Sequence, residues 1–536
     1  MTVFIGVDVG TGSARAGVFE STGDLLASNK QDIKMWRTAG DIVEQSSDDI
    51  WQAVCHAVRT AVAKAGVSPD TVRGIGFDAA CSMVVLDRDM APLSVSASGA
   101  SERNVIVWMD HRATEQAERI NTMGHPVLDF VGGRISPEMQ TPKLLWLKEH
   151  MPEQFAAAGH FFDLPDYLTW IATGSLTRSA CTVTCKWTYL AHEDRWDDSY
   201  FEQIGLEELA NEGFARIGQK IVAPGTALAN GLTDAAAQAL GLIPGTPVGA
   251  GLMEAHGGGV GTVGADRDAG RQAAMAYVFG TSACTMTTSG DPQKVPGVWG
   301  PYYSAMVPGM WLSEGGQSAA GEAIAHLVST HPFSAEAKRA AHAKGMPLQA
   351  YLLQELENRA PNPEAAARFA GPRVIVPDLL GNRAPFADPN ATGIVSGLTL
   401  SWDMDDLVAT YAAAVYGVGY GLRQILTVQA EYGLKPTAIV VSGGAGESRM
   451  VKQLLADASD YPVLSTSSSE PVLLGAAILG TVASGAYENV PAAMRQMSRL
   501  ADRIDPAEGV TQELHLARYH AYCAFQSAER ELRTAL

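Results

Sequence analysis

The chain has 536 residues, 46% of them hydrophobic, and a formal net charge of -19. That length exceeds one ordinary core and predicts two or three domains. The acidic balance disfavours nucleic acid and anionic membrane as partners, and no apolar run reaches the roughly 20 residues that span a bilayer.

The start has no basic segment followed by an apolar one, so neither a leader nor an N-terminal DNA-binding module is expected. The six cysteines (Cys55, Cys81, Cys181, Cys185, Cys284 and Cys523) are scattered. Only Cys181 and Cys185 are close, and nothing nearby completes a zinc set. Reduced thiols in a cytoplasmic protein are the expectation.

Ile5 to Phe19 reads as strand, Gly-rich turn, strand. Gly10 and Gly12 permit positive φ and expose backbone N–H groups, and Thr11 and Ser13 add hydroxyls. Such a turn is a nest for phosphate oxygens. Asp8 just before it suggests a cation, Mg²⁺, between carboxylate and phosphate, and Arg15 offers further donors. An ordinary hairpin is the plainer reading. Neither a Walker A lysine nor a following helix is present, which excludes the P-loop and dinucleotide fingerprints.

Glu44 to Ala65 predicts a helix capped by Ser46 or Ser47 and ended by Gly66. Val72 to Phe77 predicts a buried strand closed by Ala80-Cys81-Ser82, at the ligand edge of an α/β sheet. Asn104 to Arg112 reads as a strand whose Asp110 and Arg112 suit hydroxyl contacts or a surface ion pair. Pro137–His150 and Asp163–Thr173 read as helices. Lys186 sits among apolar neighbours, either snorkelling or touching a ligand.

Pro244 to Gly261 reads as a small-residue strand ending in Glu254, with glycines opening a helix. The polar stretch Gly264 to Gln272 marks the expected boundary between domains 1–264 and 265–536. Beyond it Ala276 to Met286 repeats strand, Gly280-Thr281-Ser282 turn, strand, as an internal duplication would. Leu312–Gly321, with Glu314, leads into a helix. Gly381–Gly393 is a Pro-punctuated polar loop, and Asp406–Tyr432 a helix. Ala438–Gly446 is a strand with a Gly-rich turn, Gly443-Gly444, opening a helix near Arg449, a ligand-facing geometry. Leu473–Gly480 and Leu514–Leu536 are further helices.

Asp8 to Arg15 resembles the first phosphate loop of the actin/hexokinase-type ATPases. With Trp108–Arg112, Pro137–Leu147, Cys185–Leu190, Glu314–Gln317, Gly381–Pro389 and Ser442–Gly444 in this order, the chain resembles the FGGY carbohydrate kinases, and among them the pentulose (ribulose) kinases. The resemblance implies an α/β fold of two actin-like (ribonuclease H-like) domains around a central cleft, sugar mainly on the first and ATP mainly on the second. It implies Asp8 for Mg²⁺. For ATP it implies Thr11, Gly12, Ser13, Arg15, Gly280, Thr281, Ser282, Gly443 and Gly444. For the sugar it implies Ala80, Cys81, Asp110, Arg112, Lys186 and Glu314.

The family's catalytic base is an Asp followed by Ala-His; this chain reads Met253-Glu254-Ala255-His256, so Glu254 takes that place. Its extra methylene shifts the carboxylate by about 1 Å, a displacement that costs ~10²-fold elsewhere. The nucleotide turn also departs, with Ala445-Gly446-Glu447-Ser448 after the two glycines where relatives carry a third Gly and an Asn.

The expected activity is ATP-dependent phosphorylation of D-ribulose at O5. L-ribulose, xylulose and pentitols such as ribitol are the alternatives. A catalytically weak sugar-binding protein on the same fold, or an actin-like filament protein, are readings of another class. The expected partners are sugar and ATP, with a homodimer compatible.

Overall fold

The computed structural model describes residues 2–38, 42–264, 274–444 and 448–535. The expected domain boundary falls on residues 264–272, of which all but Gly264 lie outside the described residues, as do Ala445, Gly446 and Glu447.

Two mixed sheets share one strand order. In the first, Val3–Val9 pairs antiparallel with Ser13–Glu20, which pairs with Leu25–Asp32. On its other side Val3–Val9 runs parallel to Val72–Ala79, and that strand to Leu252–Met253. In the second, Met275–Phe279 pairs antiparallel with Ala283–Ser289, which pairs with Trp311–Gln317. On its other side it runs parallel to Ile439–Gly443, and that strand to Val463–Thr466. Trp299–Tyr303 and Leu500–Ile504 extend the second sheet at its edges. The duplication read from the two Gly-Thr hairpins is therefore real, and this is the two-lobed actin-like ATPase fold. A separate antiparallel sheet joins Met35–Thr38, Ile42–Gln45, Val105–Ile106, Met83–Asp87 and Ala158–Asp163.

In each half a long helix links the third strand to the fourth. The first, Ser47–Ala65, is capped by Ser46, whose Oγ accepts from Asp49 N, and ends at Gly66 in the left-handed region. It buries Ile50, Val54, Ala57, Val58 and Ala61. Glu44 and Gln45, expected in this helix, form the end of the Ile42–Gln45 strand instead, paired with Ile106 and Val105. Pairing with a neighbouring strand outweighs the helix propensity of Glu. The second, Met404–Glu431, is capped by Asp403 accepting from Asp406 N.

The halves are locked by backbone proximity. The helix Pro471–Ala483 of the second half lies on the first half's sheet and on the helix Glu254–Val263. A Cβ added to Gly6 would sit 1.9 Å from the Leu473 carbonyl oxygen, and one added to Gly475 would sit 1.9 Å from that of Gly257. Leu473, Leu474, Ile478 and Leu479 are fully buried in this seam, which supplies the apolar area holding the lobes together.

Candidate active site

The site grows from three strand ends on one sheet edge. Asp8 and Asp78 are register partners across parallel strands, and Leu252 is the partner of Asp78 in the next. Glu254 follows two residues later, as the first residue of the Glu254–Val263 helix. Asp8 is 1% exposed and Asp78 0%.

Arg15 Nε donates to Asp8 Oδ2 at 2.8 Å and Nη1 to Glu470 Oε2 at 2.9 Å. The guanidinium thus ties the Gly10–Ser13 turn to the residue before the Pro471–Ala483 helix, leaving few of its donors free. Asp8 Oδ1 and both Asp78 carboxylate oxygens meet no donor. Burial, then the Asp8 carboxylate, pushes Asp78 well above the usual range. The same two causes push Glu254 up to about 8.

The loop's glycines act through space. Neither Gly10 nor Gly12 takes a positive φ, contrary to the sequence expectation. A Cβ on Gly10 would lie 3.4 Å from Glu254 Oε1, ordinary van der Waals contact, so that carboxylate lies directly beside the loop. Thr11 is fixed from both sides: Trp108 Nε1 donates to its Oγ1 at 2.9 Å and Gln45 Nε2 to its carbonyl at 2.7 Å. Gly12 is exposed and Ser13 half-buried.

The two loops of the second half lie side by side. Phe279 and Gly443 are register partners. Gly443 takes φ 80°, and a Cβ there would meet the Phe279 carbonyl oxygen at 2.2 Å, so only glycine fits. Gly280, Thr281, Gly443 and Gly444 are exposed, with Ser282 half-buried. Backbone N–H groups of Ala320, Gly321 and Glu322 bond the carbonyls of Thr281 and Gly280 and hold the first of these turns.

Behind Glu254 lies a charged cluster built from both halves. Lys186, in the Ala180–Trp187 helix, is 3% exposed, so it does not snorkel. Its Nζ sits 4.7 Å from the Trp299 ring centroid, and the Arg383 guanidinium 4.3 Å from the same ring. Arg383 Nη2 reaches Glu314 Oε1 at 3.4 Å. Despite burial, His256, Lys186 and Arg383 hold Glu314 down at about 2. Against its own burial, Lys186 is kept above its usual range by Cys81, Glu314 and Glu138. Cys81 is half-buried beside this cluster, its thiol pushed up to about 11 by burial. Ala80 is buried, its N–H bonded to the Val9 carbonyl.

Asp110 and Arg112 are not brought to this cluster's surface. Arg112 Nη2 donates to Asp110 Oδ2 at 2.7 Å and to Glu44 Oε1 at 3.0 Å, and Val43 N donates to Asp110 Oδ2 at 2.7 Å. Their side chains are 0% and 2% exposed, so the pair closes on itself, buried rather than on the surface. Asp78, His256, Trp299 and Arg383 are the site residues that sequence reasoning missed. His256 and Arg383 stood within motifs already singled out, and Asp78 directly follows the expected Val72–Phe77 strand, which runs on to Ala79; that was the available signal.

Residues 3–261 match the profile described as FGGY family of carbohydrate kinases, N-terminal domain, and residues 275–484 match its C-terminal domain. An FGGY carbohydrate kinase domain-containing protein of Homo sapiens is 45% identical over 512 residues, 94% of this chain and 92% of that protein. A D-ribulokinase of Saccharomyces cerevisiae is 36% identical over 516 residues, 90% of this chain and 72% of that protein. The solved xylulose kinase of Lactobacillus acidophilus superposes with a TM-score of 0.80 at 20% identity over 98% of each chain, a likeness of fold.

Proposed function

The chain belongs to the FGGY family of carbohydrate kinases, and from that premise we propose that it is an ATP-dependent pentulose kinase acting on D-ribulose at its terminal hydroxyl. The similarity to a D-ribulokinase over 90% of the chain supports the choice of sugar. One observation carries the chemistry: Glu254 places its carboxylate against Gly10 of the first phosphate loop. A base at that point stands between a phosphate chain held by the loop and a sugar held by Cys81, Lys186 and Glu314. The domains are read as 1–264, mainly for sugar, and 265–536, mainly for ATP.

In this mechanism Lys186 and Glu314 orient the sugar, and the terminal hydroxyl oxygen attacks the γ-phosphorus in line. Glu254 accepts the hydroxyl proton as the bond forms, and ADP leaves. The exposed turns Gly280–Ser282 and Gly443–Gly444 offer backbone donors to the nucleotide. Thr11, fixed by Trp108, keeps the first loop in place.

The family's magnesium ion fits this chain. Its donors are hard oxygens: Asp8 Oδ1 and both Asp78 oxygens lie buried together with no N–H or hydroxyl donor on them, a pair that a shared proton or a cation would satisfy. An ion of this kind would be held by one or two carboxylates together with phosphate and water. Asp8 would hold it, and an ion there would supply neutralisation of charge on the transferring phosphate.

A coupled ADP-release assay over D-ribulose, L-ribulose, xylulose and ribitol tests the proposal. The expected result is sugar-dependent ADP formation fastest with D-ribulose. ATP and sugar binding without turnover would overturn it in favour of a sugar-binding protein.

A further inference from the structure

His256 is fully buried where the two halves meet. Its Nδ1 lies 3.1 Å from Cys181 Sγ and its Nε2 3.3 Å from Glu314 Oε2. Cys181 shares its helix with Lys186, and Glu314 belongs to the Trp311–Gln317 strand of the second half. The backbone N–H of Met253, the residue before Glu254, donates to Cys181 Sγ at 3.3 Å. A continuous buried chain therefore runs from the start of the Glu254 helix through Cys181 and His256 to Glu314, and on to Arg383.

A carboxylate only accepts, so Nε2 carries a hydrogen toward Glu314. The Cys181 sulfur accepts from the Met253 N–H and shares a second hydrogen bond with Nδ1, so the ring bridges the thiol and the carboxylate. We propose that His256 is a positioning residue that fixes the Glu254 carboxylate relative to Glu314, so that the reacting hydroxyl and the rest of the sugar are held at one separation. The inference rests on the roles assigned above to Glu254 and Glu314. It explains why a histidine two residues from the base is buried without touching the phosphate loop.

The charges agree with the geometry. Against burial, Cys185, His256 and the Met253 N–H bring the Cys181 thiol down to about 5. Against its own burial, Cys181 and Glu314 raise His256 to about 9. The other titratable groups bearing on the chain are Lys186 and Arg383, which face Glu314, and Asp166 and the Cys185 thiol, which face Cys181.

The test uses the full chain with His256→Gln and Cys181→Ser, following kcat and both KM values across pH with the sugar that the wild type accepts. His256→Gln is expected to lose on the order of 10²-fold in kcat, the cost of an ångström of misplacement. It should also raise the sugar KM and leave the ATP KM unchanged, a split that general loosening would not produce. Cys181→Ser keeps the ring but removes its anionic partner. Activity should fall as pH rises through the raised His256 pKa, and that fall should move to lower pH in Cys181→Ser. Wild-type kcat and KM in His256→Gln, or an unmoved profile in Cys181→Ser, would overturn the proposal. Should either variant fail to fold, the imidazole resonance of His256 in wild-type protein decides. Titration above the ordinary 6.5 supports the proposal, and titration at or below it overturns it. A wild type that phosphorylates no sugar refutes the kinase reading itself, whereas an active wild type with unchanged variants refutes only this inference.

Discussion

Asp8 and Asp78 face each other across adjacent parallel strands with three of their four carboxylate oxygens lacking a donor. Arg15 occupies the fourth, Asp8 Oδ2. Two buried acids with one cation between them are stable only when a proton or a metal ion is added. The sign follows from Asp78, whose folded-state pKa lies well above its unfolded value because of burial and Asp8. Its contribution is present below the unfolded pKa and is lost as pH rises toward the folded one. Metal-free Asp78→Asn, which cannot ionise, should therefore melt higher than wild type near pH 8 and equally near pH 4. Thermal melts with and without Mg²⁺ check this, and the gap should shrink when Mg²⁺ is present.

Glu314 behaves in the opposite sense. His256, Lys186 and Arg383 hold it at about 2 despite burial, below its ordinary 4.5. Its stabilisation is complete above pH 4.5 and lost as pH falls toward 2. Glu314→Gln should flatten acid unfolding over that window, lower stability at neutral pH and raise the sugar KM. A titration of unfolding midpoint against pH reads the first two.

The seam between the lobes tolerates no side chain at Gly475. A Cβ there meets the Gly257 carbonyl oxygen at 1.9 Å, backbone against backbone. Gly475→Ala should cost about 1–3 kcal/mol and shift the Glu254 helix, so activity should fall further than stability. Denaturant unfolding beside kinetics separates the two effects.

The terminal helix Val510–Ala535 lies past the family's matched residues, which end at 484. It holds the loop that carries Arg383. Gln526 Nε2 donates to Asp378 Oδ2 at 2.8 Å, Thr392 Oγ1 to Glu529 Oε1 at 2.9 Å, and the Arg530 guanidinium stacks 3.8 Å from the Phe386 ring. Gln526→Ala with Arg530→Ala should raise the sugar KM severalfold with the ATP KM unchanged. Steady-state kinetics with each substrate varied in turn measures it.

What the sequence made legible was local or repeated. The Ser46 cap, the Gly66 stop and the apolar stripe of Ser47–Ala65 are written in adjacent residues, and the two Gly-Thr hairpins announce the duplication. Tertiary effects were not visible. Ile42–Gln45 pairs with residues some 60 positions later, so Glu44 was read as helical. Only Val105–Ile106 of the expected Asn104–Arg112 strand is extended, because the Asp110 N–H turns back onto the Val107 carbonyl. Asp110 and Arg112 looked free to bind hydroxyls because the partners that occupy them, Val43, Glu44 and Val95, come from elsewhere in the chain. His256 and Arg383 gain their meaning from Cys181 and Glu314, distances that no local pattern encodes.

The central claim is that Glu254 is the base. Sugar-dependent ADP release by wild type, Glu254→Gln and Glu254→Asp across pH tests it most directly. A base must be deprotonated, so wild-type kcat/KM should climb with pH through the range of a carboxyl that burial, then Asp8, raises above its ordinary 4.5. Glu254→Gln should lose roughly 10²–10⁴-fold and the pH dependence with it, while Glu254→Asp keeps the dependence at an altered rate. A Glu254→Gln enzyme with wild-type turnover and an unchanged pH profile would contradict the account.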